Sequence, residues 1–320
     1  MSNFGANIVG TGCQLPEKRL TNDDLAKMVD TNDEWIVQRT GIRERRIIAA
    51  GESTATLATG AARKAIAAAG ISPSEVELVV CATVTPEMMF PSTACFVAAN
   101  LGLNGVPAFD MAAACSGFIY ALNTGANFIK AGQYKNVVVI GAETLSRVID
   151  YTDRSSCILF GDGAGSVVLQ RTTEAGKGLI YSQLHATGEG WEAMQLHYPL
   201  GPDKNQFVTL KGREVYKFAV TKFEELIADA IKHCELSMDQ VKLIVPHQVN
   251  QRIIDSAIER LGFPADRVYV NIDKYGNTSA ASIPIALDEA WRAGRLQSGD
   301  VVIFVAFGAG LTWANAVVRV

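Results

Sequence analysis

No apolar run in this sequence approaches the roughly 18 residues that a membrane-spanning helix requires, so nothing in it reads as a transmembrane segment. The N-terminus shows no basic stretch followed by an apolar one, which argues against a secretory leader. Basic charge is not in excess. The 29 Lys and Arg stand against 33 Asp and Glu, a formal net charge of -4. That balance argues against a general nucleic-acid binder, while a local basic patch could still meet an acidic partner. CxxC pairs are missing, and the six cysteines (13, 81, 95, 115, 157, 234) fall into no zinc-ligand spacing. No metal site is expected, and reduced thiols in the cytoplasm are the simplest expectation. No linker rich in Pro, Gly or Ser divides the chain.

What is present is bulk and apolarity. The 320 residues are 48% hydrophobic and 19% charged. That is ample for a large core, as one big domain or two fused ones. A weak self-similarity favours the second. Gly70-Ile71-Ser72-Pro73-Ser74-Glu75-Val76 resembles Glu235-Leu236-Ser237-Met238-Asp239-Gln240-Val241, at an offset of 165. In both places a helix is expected to lead into a buried strand. Further on, Lys130-Ala131-Gly132 precedes an apolar strand at 137–140, and Arg292-Ala293-Gly294 precedes another at 301–305. Counting 16 residues back from Ala131 and Ala293 reaches Cys115 and Asn277. The two are therefore expected at matching places, each opening a helix after an inner strand. The expected halves are 1–172 and 173–320, layered α/β in class.

Cys115 stands between an apolar segment and a helical pattern formed by Phe118, Ile119, Leu122, Ala126 and Ile129. A sulfur at a helix N-terminus faces free N–H groups and the positive end of the helix dipole, which favour the thiolate. A thiolate is a covalent nucleophile. Taken alone, Cys115 would more often be a buried structural cysteine. His247 follows the strand expected at 242–245. Open α/β sheets build their sites at such strand ends. The segment Gly161-Asp162-Gly163-Ala164-Gly165 resembles a phosphate cradle, but a strand pattern follows it where a nucleotide loop should open a helix. It reads as a strand connection. His185, His197 and His233 carry no motif.

Three segments, Ala113-Ala114-Cys115-Ser116-Gly117, Pro246-His247-Gln248 and Gly276-Asn277-Thr278-Ser279, resemble the Cys-His-Asn triad of the thiolase superfamily. Four more narrow the resemblance to the β-ketoacyl-acyl-carrier-protein synthase III family. They are the stretch from Asp33-Glu34-Trp35 to Gly41-Ile42-Arg43, Tyr151-Thr152-Asp153-Arg154, Phe160-Gly161-Asp162-Gly163-Ala164-Gly165, and Phe307-Gly308-Ala309-Gly310-Leu311-Thr312-Trp313. The elongating synthases of the superfamily resemble a Cys-His-His arrangement. Plant-type chalcone synthases run longer and lack the 35–43 segment.

The resemblance implies a thiolase-like, duplicated α-β-α-β-α layered fold. It implies an acyltransferase that starts fatty-acid synthesis in the cytoplasm, joining a short acyl-CoA, such as acetyl-CoA, to malonyl-acyl carrier protein with loss of CO₂. Coenzyme A enters as a substrate thioester, with no metal or other cofactor. Cys115 would hold the acyl group. The N–H groups of Cys115 and Gly308 would form the oxyanion hole. His247 and Asn277 would donate to the enolate that decarboxylation leaves, and His247 could also help deprotonate Cys115. Trp35 and Arg154 would sandwich the adenine, with Arg39 on phosphate. Arg39, Arg43, Arg45 and Arg46 make this stretch basic. Phe160 and Phe90 would lie near the acyl pocket, Phe90 donated across a homodimer interface. Lys217, Arg252 and Arg260 would form a basic face for the acidic carrier protein, although Glu259 departs from a uniformly basic pattern.

A starter synthase of a quinolone or polyketide pathway would keep the same triad. A cysteine hydrolase is disfavoured because Asn277 lies far from His247 in sequence and no hydrolase motif surrounds Cys115. A non-catalytic binding protein is disfavoured by the intact triad.

Overall fold

Two β-rich stretches become two mixed sheets whose central strands are buried on both faces. The computed structural model describes residues 4–197 and 206–320. The N-terminal stretch supplies β1 (Gly5–Gln14), α1 (Asp33–Thr40), α2 (Thr54–Ala68), β2 (Leu78–Ala82), α3 (Thr93–Asn100), β3 (Ala108–Met111), α4 (Gly117–Lys130), β4 (Asn136–Thr144) and β5 (Asp162–Thr172). The C-terminal stretch supplies β6 (Gly178–Ala186), α5 (Gly212–His233), β7 (Val241–Pro246), α6 (Gln251–Leu261), α7 (Ser282–Arg292), β8 (Val301–Gly308) and β9 (Thr312–Arg319). The first sheet runs β1-β5-β4-β2-β3 and the second β6-β9-β8-β7. In each, two antiparallel pairings come first, followed by two parallel ones in the first sheet and one in the second.

Five layers result, α-β-α-β-α. In β4, Val137 and Val139 pack on the inner helices while Val138 and Ile140 pack on the outer ones. An unbroken apolar run is what a strand covered on both faces requires. In β8, Val302 and Phe304 face inward and Ile303 and Val305 outward. The central layer is α4 with α7, whose Phe118, Leu122, Ile283 and Leu287 join one core shared by both sheets. Helices α2 and α3 cover one outer face, α5 and α6 the other. Gly165 in β5 is where α7 comes closest: a Cβ there would lie 2.6 Å from the Ile285 nitrogen. The 161–165 glycine segment thus serves strand-on-helix packing, and Asp162 onward is strand rather than connection.

The internal repeat extends to backbone detail. Ser72 and Ser237 each cap a short 3₁₀ turn with a reciprocal capping box. Gly70 and Glu235, at the same offset, both adopt positive φ (68° and 51°). So do Ala114 (45°) and Ser279 (46°), each opening the 3₁₀ turn before an inner helix. This corrects one expectation. The backbone counterpart of Cys115 is Ala280, not Asn277. Helix α7 is 11 residues and α4 is 14, so counting back from their C-termini slips by three.

Candidate active site

Cys115 lies in the 3₁₀ turn Ala114–Ser116, immediately before α4. The turn is anchored from the second half: Thr312 donates its hydroxyl to the Ala113 carbonyl at 3.1 Å and lies 3.2 Å from the Ser116 hydroxyl. The Cys115 side chain is buried, and burial pushes its thiol up to about 12. Desolvation thus acts against the thiolate that the helix N-terminus favours. The nearby Ser279 hydroxyl partly opposes that rise.

The strand ends bring the partners in. His247 follows β7 directly and hangs from the Val305 carbonyl of β8 by its backbone N–H, at 2.8 Å. Its ring is buried edge-on to Phe307, with centroids 5.9 Å apart. Neither ring nitrogen has a hydrogen-bond partner among the described residues. Burial holds the imidazole far below its ordinary range, at about 3, so it is neutral near pH 7. Asn277 pairs across a bridge with Phe160. Its Oδ1 accepts from the Ser279 N–H at 2.8 Å, which leaves the donating Nδ2 as the other end of the amide. Gly308 ends β8 against the nucleophile turn. A Cβ there would meet the Cys115 nitrogen at 2.6 Å, so only glycine permits this approach.

Two cavities meet at Cys115. One, of about 200 Å³, contains Cys115, His247, Asn277, Gly308 and Phe160, and opens past Val215, Tyr216, Val249 and Asn250 to Arg39. The other, about 210 Å³, continues from Cys115 and Phe160 past Val84, Leu145, Leu196 and Val208. Its lining is almost wholly apolar.

At the outer end, Trp35 lies under both Arg39 and Arg154, with guanidinium carbons 4.2 and 4.9 Å from the ring centroid. Arg154 donates to the Asp30 carbonyl at 2.9 Å. An aromatic ring needs about 3.5 Å on each face. The gap between Trp35 and Arg154 is therefore closed, and a sandwiched ring would require Arg154 to swing away. The neighbouring arginines are not all surface cations. Arg45 is fully buried, donating to the Leu20 and Ile158 carbonyls and to Asn22 Oδ1. Arg46 reaches the Pro16 carbonyl. Both hold the fold rather than a phosphate.

Phe90 is 81% exposed beside Met88 and Met89 and lines neither cavity of its own chain. Lys217 on α5 and Arg252 in the first turn of α6 are exposed on the two helices that frame the mouth. Arg260 lies at the far end of α6, on the order of 12 Å farther along at 1.5 Å per residue, and pairs with Glu224 at 3.8 Å. Sequence reasoning did not single out Glu143, a buried carboxylate that accepts from the Val84 and Thr85 N–H groups at 3.1 Å each and from the Thr85 hydroxyl at 2.6 Å. A carboxylate closing the apolar strand β4 was the available signal.

No helix among the described residues is long and apolar enough to cross a membrane. Residues 109–188 match the family described as 3-oxoacyl-[acyl-carrier-protein] synthase III, and residues 231–320 match its C-terminal domain. The chain is 49% identical to a β-ketoacyl-[acyl-carrier-protein] synthase III of Caldanaerobacter subterraneus subsp. tengcongensis, over 99% of this chain and 98% of that one. The crystal structure of the Aquifex aeolicus VF5 3-oxoacyl-[acyl-carrier-protein] synthase III superposes with a TM-score of 0.94 at 48% identity, covering 99% and 100% of the two chains. A priming β-ketosynthase of the R1128 polyketide pathway is similar in structure (TM-score 0.92, covering 98% and 95%) but only 33% identical, which does not favour the starter-synthase alternative. This chain, with its five-layered thiolase fold and its cysteine at the meeting of two cavities, belongs to the β-ketoacyl-acyl-carrier-protein synthase III family, the condensing acyltransferases that initiate fatty-acid synthesis.

Proposed function

We propose that Cys115 takes a short acyl group from acyl-CoA as a thioester and that His247 and Asn277 then stabilise the enolate of malonyl-acyl carrier protein. The observation that carries this reading is the pair of unpartnered nitrogens on a fully buried His247. A buried polar group without a partner costs on the order of 1–3 kcal/mol. Such a group is tolerated where a ligand supplies the missing partner. A neutral imidazole and an amide Nδ2, lining one cavity with a thiol, suit an oxygen that gains negative charge only during reaction. The N–H groups of Cys115 and Gly308 serve the acyl oxygen in the same way.

The chemistry runs in two halves. The sulfur attacks the acyl carbonyl and expels the coenzyme thiolate. Malonyl thioester then loses CO₂, and the resulting enolate carbon attacks the acyl-Cys115 carbonyl and expels the cysteine thiolate. The apolar second cavity would hold the acyl chain, with Phe160 at its start and Phe90 supplied by the other protomer of a homodimer. An exposed Met88-Met89-Phe90 patch supports such an interface. Trp35 and Arg154 would take the adenine once Arg154 leaves Asp30, with Arg39 on phosphate. Lys217 and Arg252 would meet the acidic carrier, while Arg260, tied to Glu224, contributes least. The 1–172 and 173–320 halves each supply part of the site. Six free thiols suit a cytoplasmic location.

The test is intact-mass analysis after mixing with acetyl-CoA. One acetyl-sized adduct on the wild type and none on Cys115→Ser is expected. An unmodified wild type, or an undiminished adduct in Cys115→Ser, refutes Cys115 as nucleophile.

A further inference from the structure

A carboxylate stands behind the wall of the second cavity, and the two half-reactions above do not use it. Glu143, the last residue but one of β4, is completely buried and lines neither cavity at Cys115. Its Oε1 and Oε2 accept from the Val84 N–H at 3.2 and 3.1 Å. Oε2 also accepts from the Thr85 N–H at 3.1 Å, the Thr85 hydroxyl at 2.6 Å and the Thr83 hydroxyl at 3.3 Å. The turn it gathers, 83–85, leaves the end of β2 and belongs to no helix or strand. Its buried N–H groups therefore need an acceptor outside any ladder. A carboxylate has lone pairs for all of these donors at once. The turn is further tied by the Thr83 N–H on the Met111 carbonyl at 3.1 Å and the Thr54 hydroxyl on the Thr85 carbonyl at 2.6 Å.

Val84, held in this way, is a partition. It lines the apolar cavity of about 210 Å³ that starts at Cys115. It also lines a neighbouring cavity of about 370 Å³, together with Leu196 and with Met88 and Met89 of the exposed patch. Val84 and Leu196 belong to both cavities, so they stand between them. Leu145, two residues beyond Glu143, lines the first cavity as well. One carboxylate thus ties the strand end that carries Leu145 to the turn that carries Val84.

We propose that Glu143 is a positioning residue that sets the length of acyl chain the enzyme accepts, by pinning Val84 as the wall between the acyl cavity and the space beyond it. The proposal rests on the reading of Cys115 as acyl carrier and of the second cavity as the place of its acyl chain. Glu143 touches neither substrate and acts through Val84. With Val84 pinned, a chain growing away from Cys115 meets the partition. With Val84 free to shift, the same chain passes into the 370 Å³ cavity. One methylene more or less in an apolar pocket changes rate by about 10-fold or more, so a wall displaced by the width of one carbon is enough to alter selectivity. The carboxylate is specific for this task. Glutamine would keep the size, but in either orientation its amide nitrogen meets the Val84 N–H, donor against donor, because that N–H reaches both oxygens.

The experiment follows acylation of the whole enzyme, by quenched intact mass, with acetyl-, butyryl-, hexanoyl-, octanoyl- and decanoyl-CoA. The wild-type rate should fall steeply once the chain meets the partition. Val84→Ala cuts back the wall itself and should move that fall to longer chains. Glu143→Gln alters no lining residue, yet it should move the fall in the same direction and raise the octanoyl-to-acetyl rate ratio on the order of 10-fold. Should Glu143→Gln not fold, Thr85→Val takes its place. It removes the 2.6 Å bond, keeps the carboxylate and should raise the same ratio. A folded Glu143→Gln, or Thr85→Val in its stead, with the wild-type ratio overturns the proposal. So does a parallel loss at every chain length, which is what a merely structural role would give. A wild type whose rate does not fall up to decanoyl-CoA overturns the partition. A Val84→Ala enzyme with the wild-type profile overturns the second cavity as the acyl site, and a wild type that forms no adduct with any acyl-CoA overturns Cys115, so the failures are told apart.

Discussion

Gly308→Ala places one methyl group where the structure has no room for it. The added Cβ would lie 2.6 Å from the Cys115 nitrogen, 3.2 Å from Ala114 Cβ and 3.2 Å from Cys115 Cβ. The first neighbour is backbone, so no side chain can swing aside. Ordinary contact begins near 3.5 Å, and the nucleophile turn or the end of β8 must retreat by up to about 1 Å. Overpacking of this kind costs roughly 1–3 kcal/mol, and the melting midpoint should fall by a few degrees. The larger effect is on chemistry. A displacement of about 1 Å at the reacting centre costs on the order of 10²-fold, and the two N–H groups offered to the acyl oxygen would separate. Quenched intact-mass measurement of acyl-Cys115 should show acylation slowed about 100-fold. Gly188→Ala, where nothing lies within 4 Å of the added methyl, should acylate normally. A Gly308→Ala enzyme that acylates and melts like the wild type would refute the close approach and the oxyanion assignment built on it.

Asn277→Ala should spare acylation and slow condensation by roughly 10²–10³-fold, as loss of one such donor does; equal losses in both half-reactions, timed separately, would contradict its assignment to the enolate. Trp35→Ala should raise the acyl-CoA concentration needed for half-maximal rate while leaving condensation by pre-acylated enzyme intact. Damage to the malonyl step instead would remove Trp35 from the coenzyme site. Arg252→Glu should weaken use of malonyl-carrier protein more than use of malonyl-CoA, and the difference should shrink with salt; parallel losses on both donors would place Arg252 elsewhere. His247, held at about 3 against an ordinary 6.5, binds its proton in the unfolded chain but not in the folded one between those pH values. Its contribution to stability is thus lost as pH falls below about 6.5, whereas Glu143, raised from 4.5 to about 7, acts in the opposite sense. Urea unfolding of wild type and His247→Leu should show the wild type losing more stability from pH 7 to pH 4.5. A pH-independent difference would refute a neutral buried ring.

Much of this is legible in the chain itself. Local backbone chemistry is short-range, so it survives in sequence. The Ser72 and Ser237 caps, the apolar strands at 137–140 and 301–305, and the helical stripe from Phe118 to Ile129 each form from neighbours in the chain. A weak self-similarity at an offset of 165 pointed to two copies of one unit, and the motifs around Cys115, His247 and Asn277 implied a family. What the chain could not disclose is anything that depends on depth and long-range contact. The helix N-terminus at Cys115 is local and legible, whereas the burial that opposes it comes from layers contributed by both halves. Arg45 read as one of four similar cations and turned out to be enclosed by carbonyls. Phe90 and Arg260 lie apart from the cavities of this chain. The equivalence of Cys115 with Ala280 emerged only from backbone angles, because the two inner helices differ in length. Glu143 and Val84 are 59 residues apart in sequence and meet only when β2 and β4 pair. Sequence determined the units and their chemistry, since those are set by neighbours along the chain. Tertiary structure decided solvation, proton affinity and the company each group keeps, because these depend on atoms that the chain brings together only by folding.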